Sequence, residues 1–272
     1  MISPVGKHLV VAWLFTVFSY GALALAFTFS NTNGIFINDG TSPPTKAGLY
    51  PSSLTVTGLT GQVVTKAVVT LNALTHEYPS DVTLLLVGPT GQKTIVISET
   101  GGQVPLSVTN LTITLDDDAT ISLPIYSRLS SGTFKPTNGY LTLGHTNLPY
   151  DLPAPAPAGS SNSVCRLNVF RNTDPTGVWN LFVVDDASGS GGAISNGWAL
   201  KLEIAVPLAV TRQGTNLVIS WPASAQNAVL QFSPSLTGTW NDFPTAPVLI
   251  SNKWTVTNAI GSGSRWYRLR SN

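Results

Sequence analysis

Asp185 and Asp186 stand side by side at the end of an apolar run, VWNLFVVDD, in a chain that is only 10% charged. A second acidic group, Asp116 to Asp118, ends another such run, LTITLDDD. Strand alternation sets Trp179, Leu181, Val183 and Asp185 on one face, and Phe182, Val184 and Asp186 on the other. It likewise puts Leu111, Ile113, Leu115 and Asp117 in one row. A carboxylate that continues an apolar row must be paired, hydrogen-bonded or metal-bound, because an unpaired buried charge is strongly unfavourable. Cations are few nearby. Oxygen donors from Asp, Asn and backbone carbonyls are what Ca²⁺ takes. Asp117 or Asp118, with Asp185 or Asp186, therefore form a candidate calcium set if a sandwich brings both strand ends to one rim. The competing reading makes the same carboxylates acceptors for backbone N–H groups in turns.

A second candidate surface lies near the end of the chain, in RWYRLR. If Tyr267 and Leu269 face inward, Trp266, Arg268 and Arg270 form an outward aromatic-cationic row. Such a row suits an anionic glycan or a partner protein. The alternative is an edge strand guarded by charge. Trp221 shares a face with Leu217 and Ile219, which makes it a core residue. Catalytic signatures are missing: there is no HExxH, no Walker loop and no GxGxxG after a strand. The Gly189–Gly192 tract lies between two strands and reads as a turn.

The elements that must position these residues are strands. Hydrophobic content is 43%, with 24 glycines and 19 prolines, which suits many short strands joined by turns. Strands are expected in Ser53–Leu59, VVTKAVVTLNAL, DVTLLLVGP, KTIVISE, LTITLDDD, VCRLNVF, VWNLFVVDD and WALKLEI. Pro89-Thr90-Gly91 makes a hairpin of the DVTLLLVGP and KTIVISE pair. The fold class is all-β: a jelly-roll β-sandwich over residues 27–206, then a small β-sandwich-like module over 207–272. The stretch 124–163, with its PAPAPA, is expected to wrap the surface. The net charge of +1 leaves no nucleic-acid footprint, and the single cysteine, Cys165, allows no internal disulfide. Charge divides unevenly. Residues 27–206 hold eight basic and twelve acidic side chains, and residues 207–272 hold five and one.

Residues 1–26 read as a signal peptide: Lys7, an uncharged run, then Ala24-Leu25-Ala26. An uncleaved segment would instead anchor the chain in a membrane. Either way the expected location is secreted or cell surface.

The order of motifs resembles a known family. DGTSPPTKAGLYPSSLTVTGLTGQVVTKAVVTLNALTHEYPSDVTLLLVGPTGQKTIVIS is similar to the opening of a proprotein convertase P-domain (P/Homo B domain). LTITLDDDA, SGTFKPTN, LPAPAP and FRNTDPTGVWNLFVVDDASGSGGAISNGWALKLEI continue the likeness over residues 27–205. The chain departs at Val82, where the family usually has Leu. The resemblance implies a β-sandwich jelly roll that accompanies subtilisin-like proteases and in some members binds calcium. Asp81 and Asp174 lie in its motifs at strand edges and join the calcium candidates, and His76 takes a structural role. No catalytic domain or triad motif accompanies it, so no enzyme activity is expected. Residues 207–272 weakly resemble a fibronectin-III-like terminal module of secreted bacterial proteins. Two functions stay open: a secreted binding or adhesion protein for an extracellular protein or glycan, or an accessory of a separate subtilisin-like protease acting in trans.

Overall fold

The computed structural model describes residues 24–40, 44–102, 104–142, 144–145, 147–261 and 264–271. The expected signal segment lies outside the described residues up to residue 23. In chain order the first strands are β1 (Ala24–Asn31), β2 (Ile35–Ile37), β3 (Thr45–Lys46), β4 (Ser52–Val56), β5 (Val63–His76) and β6 (Val82–Val87). Then come β7 (Lys93–Ser98), β8 (Val108–Leu115), β9 (Gly132–Phe134), β10 (Thr137–Asn138), β11 (Gly177–Asp185), β12 (Gly192–Ile194) and β13 (Trp198–Ala205). One helical turn, α1 (Gly139–Thr142), and two 3₁₀ turns, Pro79–Asp81 and Leu167–Phe170, interrupt them.

These strands form the expected sandwich. One sheet runs β1-β13-β5-β12-β2, with β8 added beside β5 and β9 beside β8. The other runs β10-β7-β6-β11-β3, with β4 also on β11. Alternation decides what lies between them. Trp179, Leu181 and Val183 of β11 meet Leu71, Leu200 and Leu202 of the facing sheet in one closed core. The second sheet is apolar on its other face as well, since Leu85, Ile95, Phe182 and Val184 point away from that core. A sheet with two apolar faces needs a second cover. The segment around 140–156 supplies it, laying Tyr140, Leu148, Tyr150 and Leu152 over those four residues. This is the expected surface wrap, and it is the lid of a second core.

One expected strand is not a strand. VCRLNVF ends in the 3₁₀ turn Leu167–Phe170. Side chains take the N–H groups that a ladder would need. Thr94 Oγ1 accepts from Arg166 N–H at 3.0 Å, and the Asp117 carboxylate accepts from Leu167 and Asn168 at 2.9 and 2.7 Å.

The remaining strands are β14 (Ala209–Gln213), β15 (Asn216–Pro222), β16 (Ala228–Ser233), β17 (Asn241–Asp242), β18 (Val248–Ile250), β19 (Lys253–Ala259) and β20 (Trp266–Ser271). They make a sheet β14-β15-β19-β18 and a sheet β17-β16-β20. Ile219, Trp221, Leu230, Val256 and Leu269 fill the space between them. Trp221 is thus the expected core residue, 1% exposed. Polar groups join the two modules: Ser224 Oγ donates to Thr60 O at 2.8 Å, and Gln62 Nε2 donates to Ser224 Oγ at 3.0 Å.

Candidate functional site

The apolar row of β11 ends in Asp185 because the facing strand ends in a partner for it. His76, the last residue of β5, places Nε2 3.0 Å from Asp185 Oδ2, and both side chains are 0% exposed. The two atoms are at ion-pair distance without an aligned hydrogen bond. His76 Nδ1 accepts from Tyr78 N–H at 3.1 Å, so the ring proton sits on Nε2, facing the carboxylate. Asp185 Oδ1 accepts from Ala187 N–H at 3.1 Å. Gly192 and Gly40 close the site. A Cβ on Gly192 would stand 2.5 Å from His76 Cδ2, and one on Gly40 would stand 2.2 Å from Asp185 Oδ1.

Other acids gather around this pair. Asp81 is buried, and its backbone O accepts from Asp186 N–H at 3.0 Å. Burial first, then the charges of Asp185 and Asp186, push the Asp81 carboxyl up to about 6. Asp186 accepts from the Tyr150 hydroxyl at 2.6 Å, yet burial still raises its carboxyl. Glu99 completes the group with a hydrogen bond to Tyr140. Burial and the charges of Asp186 and Asp81 push it up to about 7. Tyr140 and Tyr150 both belong to the cover segment, so this acidic group is also where that cover is fastened.

The six aspartates expected to hold calcium are split by the register. Asp81, Asp185 and Asp186 meet at the His76 end of β5. Asp117 and Asp118 follow β8, whose Leu115 pairs with Val69 at the middle of β5, so that they run on toward Lys66 and the other end of that strand. Asp117 is the acceptor for the 3₁₀ turn, and Asp118 binds Lys66 Nζ at 2.7 Å, alongside Asp116. Asp174 accepts from Gly61 and Thr176 N–H groups. Three of the six therefore have structural partners that explain them. In the remaining group Asp185 faces a histidine, and burial raises the Asp81 and Asp186 carboxyls. Among the described residues no group of three or more acidic, histidine or cysteine side chains is arranged to hold a metal. We expect thermal melting with Ca²⁺ and with EDTA to coincide. A higher melting temperature with Ca²⁺, abolished by Asp186→Asn, would restore calcium to this cluster.

The row on β20 is present, and its charges are already engaged. Leu269 is buried, and Tyr267 packs on the same core. Across the other face, Arg268 sits opposite Gln231 and donates to its Oε1 at 2.8 Å. Its guanidinium lies 4.3 Å from the centre of the Trp240 ring. Arg270 pairs with Asp242 at 2.7 Å. Trp266 is half-buried beside them.

No family model matches the chain, and no curated protein does. One solved structure similar to it is that of a serine protease from Aeromonas sobria in complex with its chaperone. Identity is 14% and the TM-score is 0.31, over 69% of this chain and 27% of that one. The chain spans about a quarter of that protein's length.

Sequence reasoning passed over Glu99, Tyr140, Tyr150 and Trp240. Glu99 carried a signal: a lone acid directly after the apolar strand KTIVIS. Trp240 carried one too, as a tryptophan between turn residues with no strand pattern of its own.

Proposed function

We propose that this chain is a non-catalytic, extracellular binding protein. Its sandwich serves as scaffold, and the outer face of the β17-β16-β20 sheet is the surface that receives a glycan. One observation carries this reading: the Arg268 guanidinium is held over Trp240 by Gln231, with the Arg270–Asp242 pair fixed next to it. Arg268 covers one face of Trp240, so the C–H side of a sugar ring is received by the opposite face of Trp240 and by Trp266, with the adjacent fixed donors and acceptors engaging its hydroxyls. Because Gln231 and Asp242 already hold both arginines, little side-chain freedom remains to be lost on binding. The two described histidines support a role without catalysis. His76 is enclosed with Asp185, and His145 packs edge-on against the Tyr140 ring at 5.6 Å. Among the described residues neither is set beside a nucleophile.

The test is a glycan array with the purified chain, followed by affinities for the best ligand. Trp240→Ala and Trp266→Ala should each weaken binding roughly tenfold, the equivalent of about 1.4 kcal/mol. Unchanged affinity in both variants overturns the reading. A second reading rests on the P-domain resemblance, whose specific motifs contain His76, Asp81, Asp185 and Asp186, the buried group at one end of the sandwich. It makes the chain an accessory of a separately encoded subtilisin-like protease. Recovery of such a protease from the secretome on immobilised chain, with an empty glycan array, would favour it.

A further inference from the structure

A cleft of about 600 Å³ opens at the end of the sandwich remote from His76. Its walls come from β5, from the turn after β8, from the segment after β9, and from the 3₁₀ turn Leu167–Phe170. Lys66, Lys135, Arg166, Arg171, Asp118 and Glu203 bring their charges to it. We propose that this cleft binds an acidic saccharide through the carboxylate or sulfate group of its sugar.

The charge balance is the first argument. Asp118 is matched by Lys66 at 2.7 Å. Asp117, also in the wall, is occupied by two backbone N–H groups. Among the described residues Lys135, Arg166 and Arg171 form no ion pair, and all three are exposed, leaving Glu203 as the one uncommitted acid of the lining. The lining as a whole holds four cations against three acids, and the exposed Lys135, Arg166 and Arg171 present that excess positive charge to solvent around one concave space. Two of them are arginines, whose planar donors match the paired oxygens of carboxylate or sulfate.

The second argument concerns the rest of the ligand. The cleft also offers acceptors, in Glu203, Asp118 and the hydroxyl of Ser122. Sugar hydroxyls donate as well as accept, so a saccharide can use both kinds of group. The volume lies within the usual range for small-molecule sites and leaves room for a short oligosaccharide. A peptide strand is less well served. Val64 exchanges backbone bonds with Asn172 and Thr173, and Val69 pairs with Leu115. Only Thr65 to Val68 lie between, too short a stretch of edge for strand addition. Cys165 in the wall takes no chemical part, since burial pushes its thiol up to about 12 and keeps it protonated.

The experiment is calorimetric titration of the full chain with digalacturonate, with a sulfated galactose disaccharide, with uncharged galactobiose and with a Glu-rich peptide. We expect one or both acidic disaccharides to bind, about tenfold or more tighter than galactobiose, and to weaken with salt. Binding by only one of them identifies the oxyanion as carboxylate or as sulfate. Arg166→Ala and Arg171→Ala should each lower that affinity about tenfold, while Trp240→Ala leaves it unchanged, which separates this site from the C-terminal face. These arginines are exposed, so their variants should melt with the parent. If either does not, Lys135→Glu replaces it and is expected to weaken binding equally. Failure of both acidic disaccharides, affinity indifferent to the arginine variants, or binding of the peptide alone overturns the proposal.

Discussion

His76→Ala unfolds at a markedly lower urea concentration than the parent chain, with an expected loss of about 3–5 kcal/mol. The size follows from what stays behind. Asp185 is fully enclosed and, among the described residues, keeps one backbone donor, Ala187 N–H, once the imidazole is gone. Water cannot replace the ring easily, because Gly192 and Gly40 bring backbone against the pair from both sides. Asp185→Asn is the milder test. Ala187 N–H donates to Oδ1 and the His76 ring N–H faces Oδ2 without an aligned bond, while an asparagine has one oxygen for these two N–H groups. One donor therefore loses its partner, at a cost of about 1–3 kcal/mol. Replacing both residues by leucine removes the polar groups together. That double variant should lose less than the sum of His76→Leu and Asp185→Leu, since neither leaves an unpaired partner behind. If His76→Ala and Asp185→Asn both unfold with the parent, the pair contributes nothing and the argument fails.

Much of this was legible in local pattern. Alternation in VWNLFVVDD separates the residues of the main core from those beneath the cover segment, and it places Asp185 in the buried row. Alternation in RWYRLR likewise turns Leu269 inward. The partners were not legible. His76 lies far from Asp185 in sequence, and strand periodicity says which face a residue occupies, not which distant strand faces it. The same limit made two strand ends with similar acids look alike. Only the pairing of β8 along β5 shows that Asp117 and Asp185 sit at opposite ends. LNVF was misjudged because four residues cannot display a helical period, and the carboxylate that organises them comes from another turn. The free cations of the cleft stand in two separate segments, Lys135 in one and Arg166 and Arg171 on either side of the 3₁₀ turn, and form a group only in the folded chain.

Stability should fall as pH rises from about 4 to about 7, contrary to the common pattern of acid loss. The cause lies in the acids around His76. Glu99 is pushed from its ordinary value of 4.5 up to about 7, and Asp81 from 3.8 up to about 6, both chiefly by burial. Asp186 moves in the same direction. Between the ordinary and the raised values the folded chain holds protons that the unfolded chain has released. Their contribution is complete below the ordinary carboxylate range and is lost as pH climbs through the raised values. Asp151 and Asp242 are held down to about 2 by hydrogen bonds from Ser161 and Arg270, and their contribution is lost progressively below about pH 5. They oppose the trend only at the acid edge of this window. Glu99 is partly exposed, so solvent screening reduces its share to on the order of 1–2 kcal/mol. Glu99→Gln holds the uncharged form at every pH. It should raise the melting temperature at about pH 8, leave it nearly unchanged at about pH 4, and flatten the slope between them. The cover segment should stay fastened throughout, because Tyr140 and Tyr150 remain protonated donors, with the Tyr140 hydroxyl pushed up to about 12 by burial and by Glu99. A melting temperature that rises from about pH 4 to pH 7, in parent and Glu99→Gln alike, would show that these carboxylates ionise freely in the folded chain.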